Sequence, residues 1–168
     1  GLLDDNQFLA HGYAWLATYV EALHEMVGWV QRLQQFGHYG ELEALLLQAA
    51  FGEYLPQLGG GIALSQVEIV RPSAYGLSDA TIQAFYTPAV KTLIAQGYTE
   101  GVRRRIAGLI AHGNYGASGL EDESLEMVRD QFRRFVEDQV VPHAHEWHLK
   151  DELIPLSIVS QMAELGVF

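Results

Sequence analysis

His143, His145 and His148, with Glu146 among them, are the side chains in this sequence whose types most invite metal or acid–base chemistry. Zinc-like ions need several imidazole or carboxylate ligands converging on one point. On a continuous helix of 3.6 residues per turn, positions 143 and 145 point about 200° apart, whereas 145 and 148 share a face. The run HEWHL also departs from the HExxH zinc motif, because Leu149 stands where the second histidine would be needed. The spacing predicts a solvated, partly buried helical joint and no metal centre. Glu21 and His24 form an E-x-x-H pair, the spacing used in di-iron carboxylate bundles. Those sites need the motif twice plus two further carboxylates, and there is no second E-x-x-H. A histidine that packs or makes a hydrogen bond is the simpler expectation.

Arg103, Arg104 and Arg105 are the densest positive charge in an acidic chain. Three consecutive residues fan over about 200° of a helix, so they cannot all face one phosphate or carboxylate ligand. Solvated positions, or ion pairs with acidic residues elsewhere, are expected. Gly59, Gly60 and Gly61 would cradle a phosphate only after a strand and before a helix, and no Lys-Ser or Lys-Thr follows them. They are read as a flexible connector. No serine has the surroundings of a nucleophile elbow. The residues thus offer no catalytic residue and no metal set.

The elements that must position these residues are read from periodicity. Asp4 or Asp5 is placed to cap a helix running to about Phe36, with Gly37 as its stop. Leu9, Tyr13, Leu16, Val20, Leu23, Val27 and Val30 make a stripe that asks for a partner along its length, and Gly12 and Gly28 would let another helix approach. A second helix, about 40 to 55, turns Leu42, Leu45, Leu46 and Ala49 inward, with Pro56 near its end, and the short connection predicts an antiparallel pair. Residues 66–70 alternate enough for a short strand but offer no obvious pairing partner, so 62–79 is read as helix then loop. Ser78 begins a third amphipathic segment that Pro88 should bend. Thr99 caps a fourth, turning Val102, Ile106, Leu109 and Ile110 inward and closing at Gly113. The glycine-rich stretch 113–122 is the expected domain boundary. Beyond it, Leu125, Val128, Phe132, Phe135, Val136 and Val140 form one apolar stripe. Arg133 with Glu137 and Arg134 with Asp138 are spaced to pair across a turn. Pro142 interrupts or kinks this helix, and Pro155 opens a last one that Gly166 ends.

Composition narrows the function classes. The chain of 168 residues is 49% apolar and only 18% charged, against a usual charged fraction of about 25%, which suggests surface hidden in a larger, homo-oligomeric assembly. A net charge of −11 argues against nucleic acid or an anionic membrane as the main partner. The absence of cysteine excludes disulfides, thiolate metal sites and cysteine nucleophiles from this chain. No apolar run reaches the 18 or so residues of a membrane span, and the cytoplasm is the expected location. Gly1 in place of Met, and an end just after a helix stop, read as two cuts.

A helix ending FRRFV, then VVPHAHEW, a polar joint, a proline-led helix and MAELGVF together resemble the N-terminal helical domain of acyl-CoA dehydrogenases. The resemblance covers roughly the last 45 residues. It implies a flavoprotein that holds FAD, removes two hydrogens from Cα and Cβ of an acyl-CoA thioester with a glutamate as base, and passes electrons to an electron-transfer flavoprotein. The family's base and flavin contacts lie in segments this chain lacks, so catalytic residues and metal ligands are none, cofactor-binding residues are unknown, and the chain alone is expected to be inactive. An arginine of the 103–105 run could at most meet a CoA phosphate or an acidic substrate carboxylate. HGYAWLATYVEAL and GGGIALSQVEIVRP resemble pieces of the N-terminal extension of the methylsuccinyl-CoA dehydrogenase branch, which forms mesaconyl-CoA. The expected architecture is therefore an all-α, up-down helical bundle: residues 1–119 as an N-terminal helical extension, and 120–168 as the truncated start of a dehydrogenase α-domain. The rival expectation is a non-catalytic helical module for oligomerisation or partner binding.

Overall fold

The computed structural model describes residue 1, residues 3–120 and residues 122–167. Two positions used in the sequence reading, Glu121 of the glycine-rich joint and Phe168 of MAELGVF, lie outside the described residues. The fold is all-α: eight helices and one two-stranded hairpin among the described residues. The chain divides into two compact units, Gly1–Gly119 and Leu120–Phe168.

In the first unit, α1 spans Gln7–Gln35. Asp4 and Asp5 do not cap it. They are absorbed into a 3-10 turn, Asp4–Asn6, and Asn6 occupies the cap position, where its side chain makes no capping hydrogen bond to the helix. Their negative charge still sits at the helix entrance, where the backbone dipole favours it. At the other end Gly37 adopts φ +73°, and the N–H groups of His38 and Gly37 donate to the carbonyls of Leu33 (2.9 Å) and Gln34 (3.3 Å), the paired bonds of a left-handed helix stop.

The helix α2, Glu41–Gly60, is the hub of this unit and packs against α1, α4 (Pro88–Gln96) and α5 (Glu100–Ala111). It runs back along α1: Tyr19 stacks edge-on against Tyr54 with ring centres 4.5 Å apart, and its hydroxyl donates to Gln57 Oε1 at 3.3 Å. Pro56 does not end α2, and Gly59 and Gly60 are helical rather than a connector. A proline inside a helix costs about 3 kcal/mol, so packing must outweigh it. Gly52 shows how: a Cβ there would lie 2.6 Å from the backbone of Gly97 and Tyr98, so α2 and the end of α4 touch backbone to backbone.

Residues 62–79 correct the reading of helix then loop. Strands β1 (Ile62–Ala63) and β2 (Ile69–Val70) pair antiparallel, Ile62 opposite Val70 and Ala63 opposite Ile69. The partner is the segment itself, folded back through a turn in which Leu64 N–H donates to the Glu68 carbonyl at 2.8 Å. Ser65 Oγ accepts from the N–H groups of Val67 and Glu68. A two-stranded ribbon is marginal by itself, and this one is held because Ile62 and Val70 are fully buried. Gly12 of α1 admits it: a Cβ there would come within 2.6 Å of Val70 Cγ2 and of the Tyr75 hydroxyl, which donates to the Leu9 carbonyl at 3.0 Å. The close approach at Gly12 is thus by the hairpin and not by a helix, while Gly28 meets only Arg32 of its own helix.

Side-chain caps open the remaining helices of this unit. Ser78 caps α3 (Asp79–Phe85), Thr87 caps α4 and Thr99 caps α5, each oxygen accepting a backbone N–H three residues on. Pro88 starts a helix instead of bending one, because the first helical turn needs no donor there.

In the second unit, α6 spans Glu123–Gln139, α7 Val141–Leu149 and α8 Leu156–Glu164. Asp122 caps α6 by accepting from the N–H groups of Ser124 and Leu125. Pro142 lies in the first turn of α7, Pro155 caps α8 and Gly166, at φ +84°, ends it. The expected pairs Arg133–Glu137 and Arg134–Asp138 are not formed. The ion pairs of α6 centre instead on Arg129, with Glu126 and Asp130. Exposed pairs contribute only about 0–1 kcal/mol, too little for spacing alone to dictate which ones form. No described helix is long and apolar enough to cross a membrane.

Candidate functional site

The polar constellations are not gathered into a centre. His143, His145 and His148 all lie exposed on α7, and Trp147 between them is half-buried, as a solvated, partly buried joint requires. His143 leans on Trp147 with ring centres 5.7 Å apart, and His148 borders an apolar groove on another side of the helix. The Glu21–His24 pair gains Glu25, and the three ligand atoms lie within 4.8 Å of one another, but all three side chains are exposed on one helix face. His24 is exposed, so of the two simpler expectations, packing or a hydrogen bond, packing does not hold. This is the one metal-like group of three among the described residues.

The arginines are each engaged separately. Arg105 forms a two-pronged pair with Glu41, Nε to Oε1 at 2.7 Å and Nη2 to Oε2 at 2.6 Å, tying α5 to the start of α2. Hydrogen bonding to that guanidinium holds the Glu41 carboxyl below its ordinary range, and the carboxylate raises Arg105 in turn. Arg104 pairs with Glu100 at 2.6 Å along its own helix, and Arg103 lies 5.0 Å from the centre of the Tyr98 ring. Sequence reasoning anticipated ion pairs for this run and missed their partners, because Glu41 is 64 positions away from Arg105.

The feature of the second unit with the shape of a binding surface is an open groove of about 500 Å³. Phe132, Phe135 and Val136 of α6 with Val140 at its end form one wall, Ala144 and Trp147 of α7 another, and Ile154, Ile158 and Met162 the rest. The residues of the first wall are the latter part of the apolar stripe read from the sequence; the stripe's first two members, Leu125 and Val128, lie exposed outside the lining. That wall faces a groove and not a filled core. The polar side chains on its wall are His148 and Glu152.

The second unit is a small three-helix unit with an open apolar groove, and the first is a larger helical unit with its own core. Residues 122–168 match the family described as acyl-CoA dehydrogenase, N-terminal domain, the family that the sequence resemblance pointed to. It is also 51% identical over 170 aligned positions to a (2S)-methylsuccinyl-CoA dehydrogenase of Cereibacter sphaeroides, a match covering 99% of this chain and 30% of that relative. The chain thus spans about 30% of the length of the curated relative it matches.

Members of this family generally use FAD. The groove does not fit that group. It is lined by apolar side chains, one imidazole and one carboxylate, with no lysine or arginine to meet a diphosphate, and Glu152 would repel one. No catalytic step is assigned to residues of this chain.

Proposed function

We propose that this chain is the N-terminal part of an FAD-dependent acyl-CoA dehydrogenase that converts methylsuccinyl-CoA to mesaconyl-CoA. The observation that carries the reading is the extent of the likeness to the Cereibacter enzyme. It runs over 99% of the chain and so takes in nearly all of the 121 residues that precede the part matched by the family. In this reading residues 1–119 are a helical extension and 120–168 belong to the N-terminal α-domain.

The reaction removes a proton from Cα and a hydride equivalent from Cβ of the thioester, and the parent protein passes the electrons to an electron-transfer flavoprotein. The base and the flavin contacts belong to parts of the parent other than the described residues, so the 168-residue chain alone is inactive. The exposed apolar groove of the second unit supports this reading, since other chain must cover it for the domain to be stable. The low charged fraction of 18% supports assembly into a homo-oligomer.

The test uses the full-length protein. Purified, it is expected to show flavin absorbance and to turn over methylsuccinyl-CoA in preference to butyryl-CoA with an electron acceptor. A colourless protein that ignores acyl-CoA thioesters would leave the helical-module reading in its place. A yellow protein that prefers butyryl-CoA would keep the family and remove the substrate. The helical-module reading has its own support in Tyr13 and Val20, which stand 66% and 56% exposed on α1.

A further inference from the structure

The glycine-rich joint before the second unit is not a slack tether. Ala117 is gripped on both sides of its backbone: its N–H donates to Glu43 Oε1 at 3.0 Å, and its carbonyl accepts from the Trp29 indole N–H at 3.1 Å. Glu43 belongs to α2 and Trp29 to α1, so one residue of the joint is tied to both long helices.

Glu43 is 4% exposed and pairs with no cation among the described residues. Its other oxygen accepts from the Gly40 N–H at 3.0 Å, which is all that closing the start of α2 requires. A buried carboxylate is costly unless hydrogen-bonded, so the reach to Ala117, 74 positions on, completes its satisfaction and anchors the joint.

The joint is shaped to be held there. Gly116 and Gly119 have φ of +76° and +68°, where a side chain is strained. A Cβ on Gly116 would lie 3.1 Å from Glu43 Oε1, and one on Gly119 would lie 3.0 Å from Trp29 Cδ1 and 3.2 Å from Leu33 Cδ2. Asn114 Oδ1 accepts from the Gly116 N–H at 3.0 Å and turns the chain into this position. Yet the segment has no helix or strand of its own, and Tyr115 is 80% exposed.

We infer that residues 114–119 form a latch with two states, docked on α1 and α2 through the Glu43–Ala117–Trp29 clamp, or released while the helices stay folded. Segments held by a few side-chain bonds open at a fraction of the global unfolding free energy. The docked state fixes the point at which the chain leaves the first unit. Release frees six residues, lengthening the tether to the family-matched segment by up to about 20 Å at roughly 3.3–3.6 Å per residue. The latch is a positioning device, and it stands whichever acyl-CoA the parent oxidises.

The experiment is hydrogen exchange on the full-length protein, with chymotrypsin cleavage at Tyr115 as the second readout. Trp29→Phe, Glu43→Gln and Gly119→Ala are compared with the unaltered protein. The latch predicts that exchange of the 115–119 amides and cleavage at Tyr115 rise by about tenfold in Trp29→Phe, the size expected for losing a well-formed hydrogen bond, and rise also in Gly119→Ala, whose Cβ would press on Trp29 and Leu33. The α1 and α2 amides should keep their protection. Gly119→Ala changes neither helix, so it remains informative if the other two variants fail to fold. Joint amides already unprotected in the unaltered protein would overturn the inference. So would unchanged exchange in all foldable variants, or protection lost from joint and helices together in Gly119→Ala.

Discussion

The two units are built from similar amphipathic helices and differ in what covers their apolar faces. In the first, Leu23, Val30 and Leu33 of α1, Leu42, Ala49 and Leu55 of α2, and Ile62 and Val70 of the hairpin are all buried. In the second, Ile158 is the one buried apolar residue among those described, while Leu153 and Leu156 stand 92% and 82% exposed. The stripe on α6 is as regular as that on α1, so regularity does not distinguish them. An amphipathic helix specifies which face is to be hidden and leaves open what hides it. Where α2 is available the stretch of α1 from Leu23 to Leu33 becomes a core while Tyr13 and Val20 stay exposed; the α6 stripe lines a groove.

Separating the units should expose this difference most sharply. A chain of residues 1–119 is expected to unfold cooperatively on heating, whereas one of residues 120–168 should keep some helix, bind a hydrophobic dye and melt without a cooperative transition, since pieces of about 50 residues rarely bury enough surface alone. Circular dichroism with dye fluorescence checks both, and a sharp melt of the shorter piece would break the comparison. Within residues 1–119, Leu33→Ala or Leu42→Ala should cost about 2–5 kcal/mol in urea unfolding, because both side chains are fully enclosed. Leu153→Ala in the full-length protein tests the other side: a loss above about 0.5 kcal/mol would mean that this exposed residue is covered in the whole enzyme.

Smaller effects sharpen the picture. Gly52→Ala forces a methyl into the α2–α4 backbone contact and should cost about 1–3 kcal/mol by urea titration, whereas Thr99→Ala, which removes the α5 cap, should cost about 1 kcal/mol. The Glu41–Arg105 pair gives the weakest signal. Glu41 has a lowered carboxyl pKa in the folded state, so its contribution is fully present above the ordinary carboxylate value and disappears as pH falls through the lowered one. Glu41→Gln should flatten stability against pH in that acidic window and leave neutral behaviour nearly unchanged. An unchanged acid limb would show that the exposed pair contributes nothing measurable.

Much of the fold was legible in local chemistry. Ser78, Thr99, Pro142, Gly37 and Gly166 act through bonds and φ angles within a turn of themselves, and each marks an end where the sequence put one. The misreadings share a cause. Pro56 and Gly59–Gly61 carry helix-breaking chemistry, but Gly52 and Gly59 meet Gly97 and Tyr86, and those contacts keep the helix going. The hairpin at 62–70 was missed because its partner lay inside the same segment and its burial against α1 could not be seen from periodicity. For the candidate sites, the 200° divergence of His143 and His145 was readable from helix geometry alone. The Arg105–Glu41 pair was not, since nothing local joins residues 64 apart.

By itself the sequence determined the helical class, the stripes, most of the helix ends, and the resemblance to an acyl-CoA dehydrogenase in its last 45 or so residues, because these rest on interactions within a few turns or on residue order. Only the tertiary structure decided that α2 is the hub, that Gly12 receives a hairpin, and that the second unit's stripe faces an open groove. It also showed the joint of 114–119 clasped by Glu43 and Trp29. Each of these joins residues far apart in the chain, and no spacing rule reports what a surface will meet once the chain has folded.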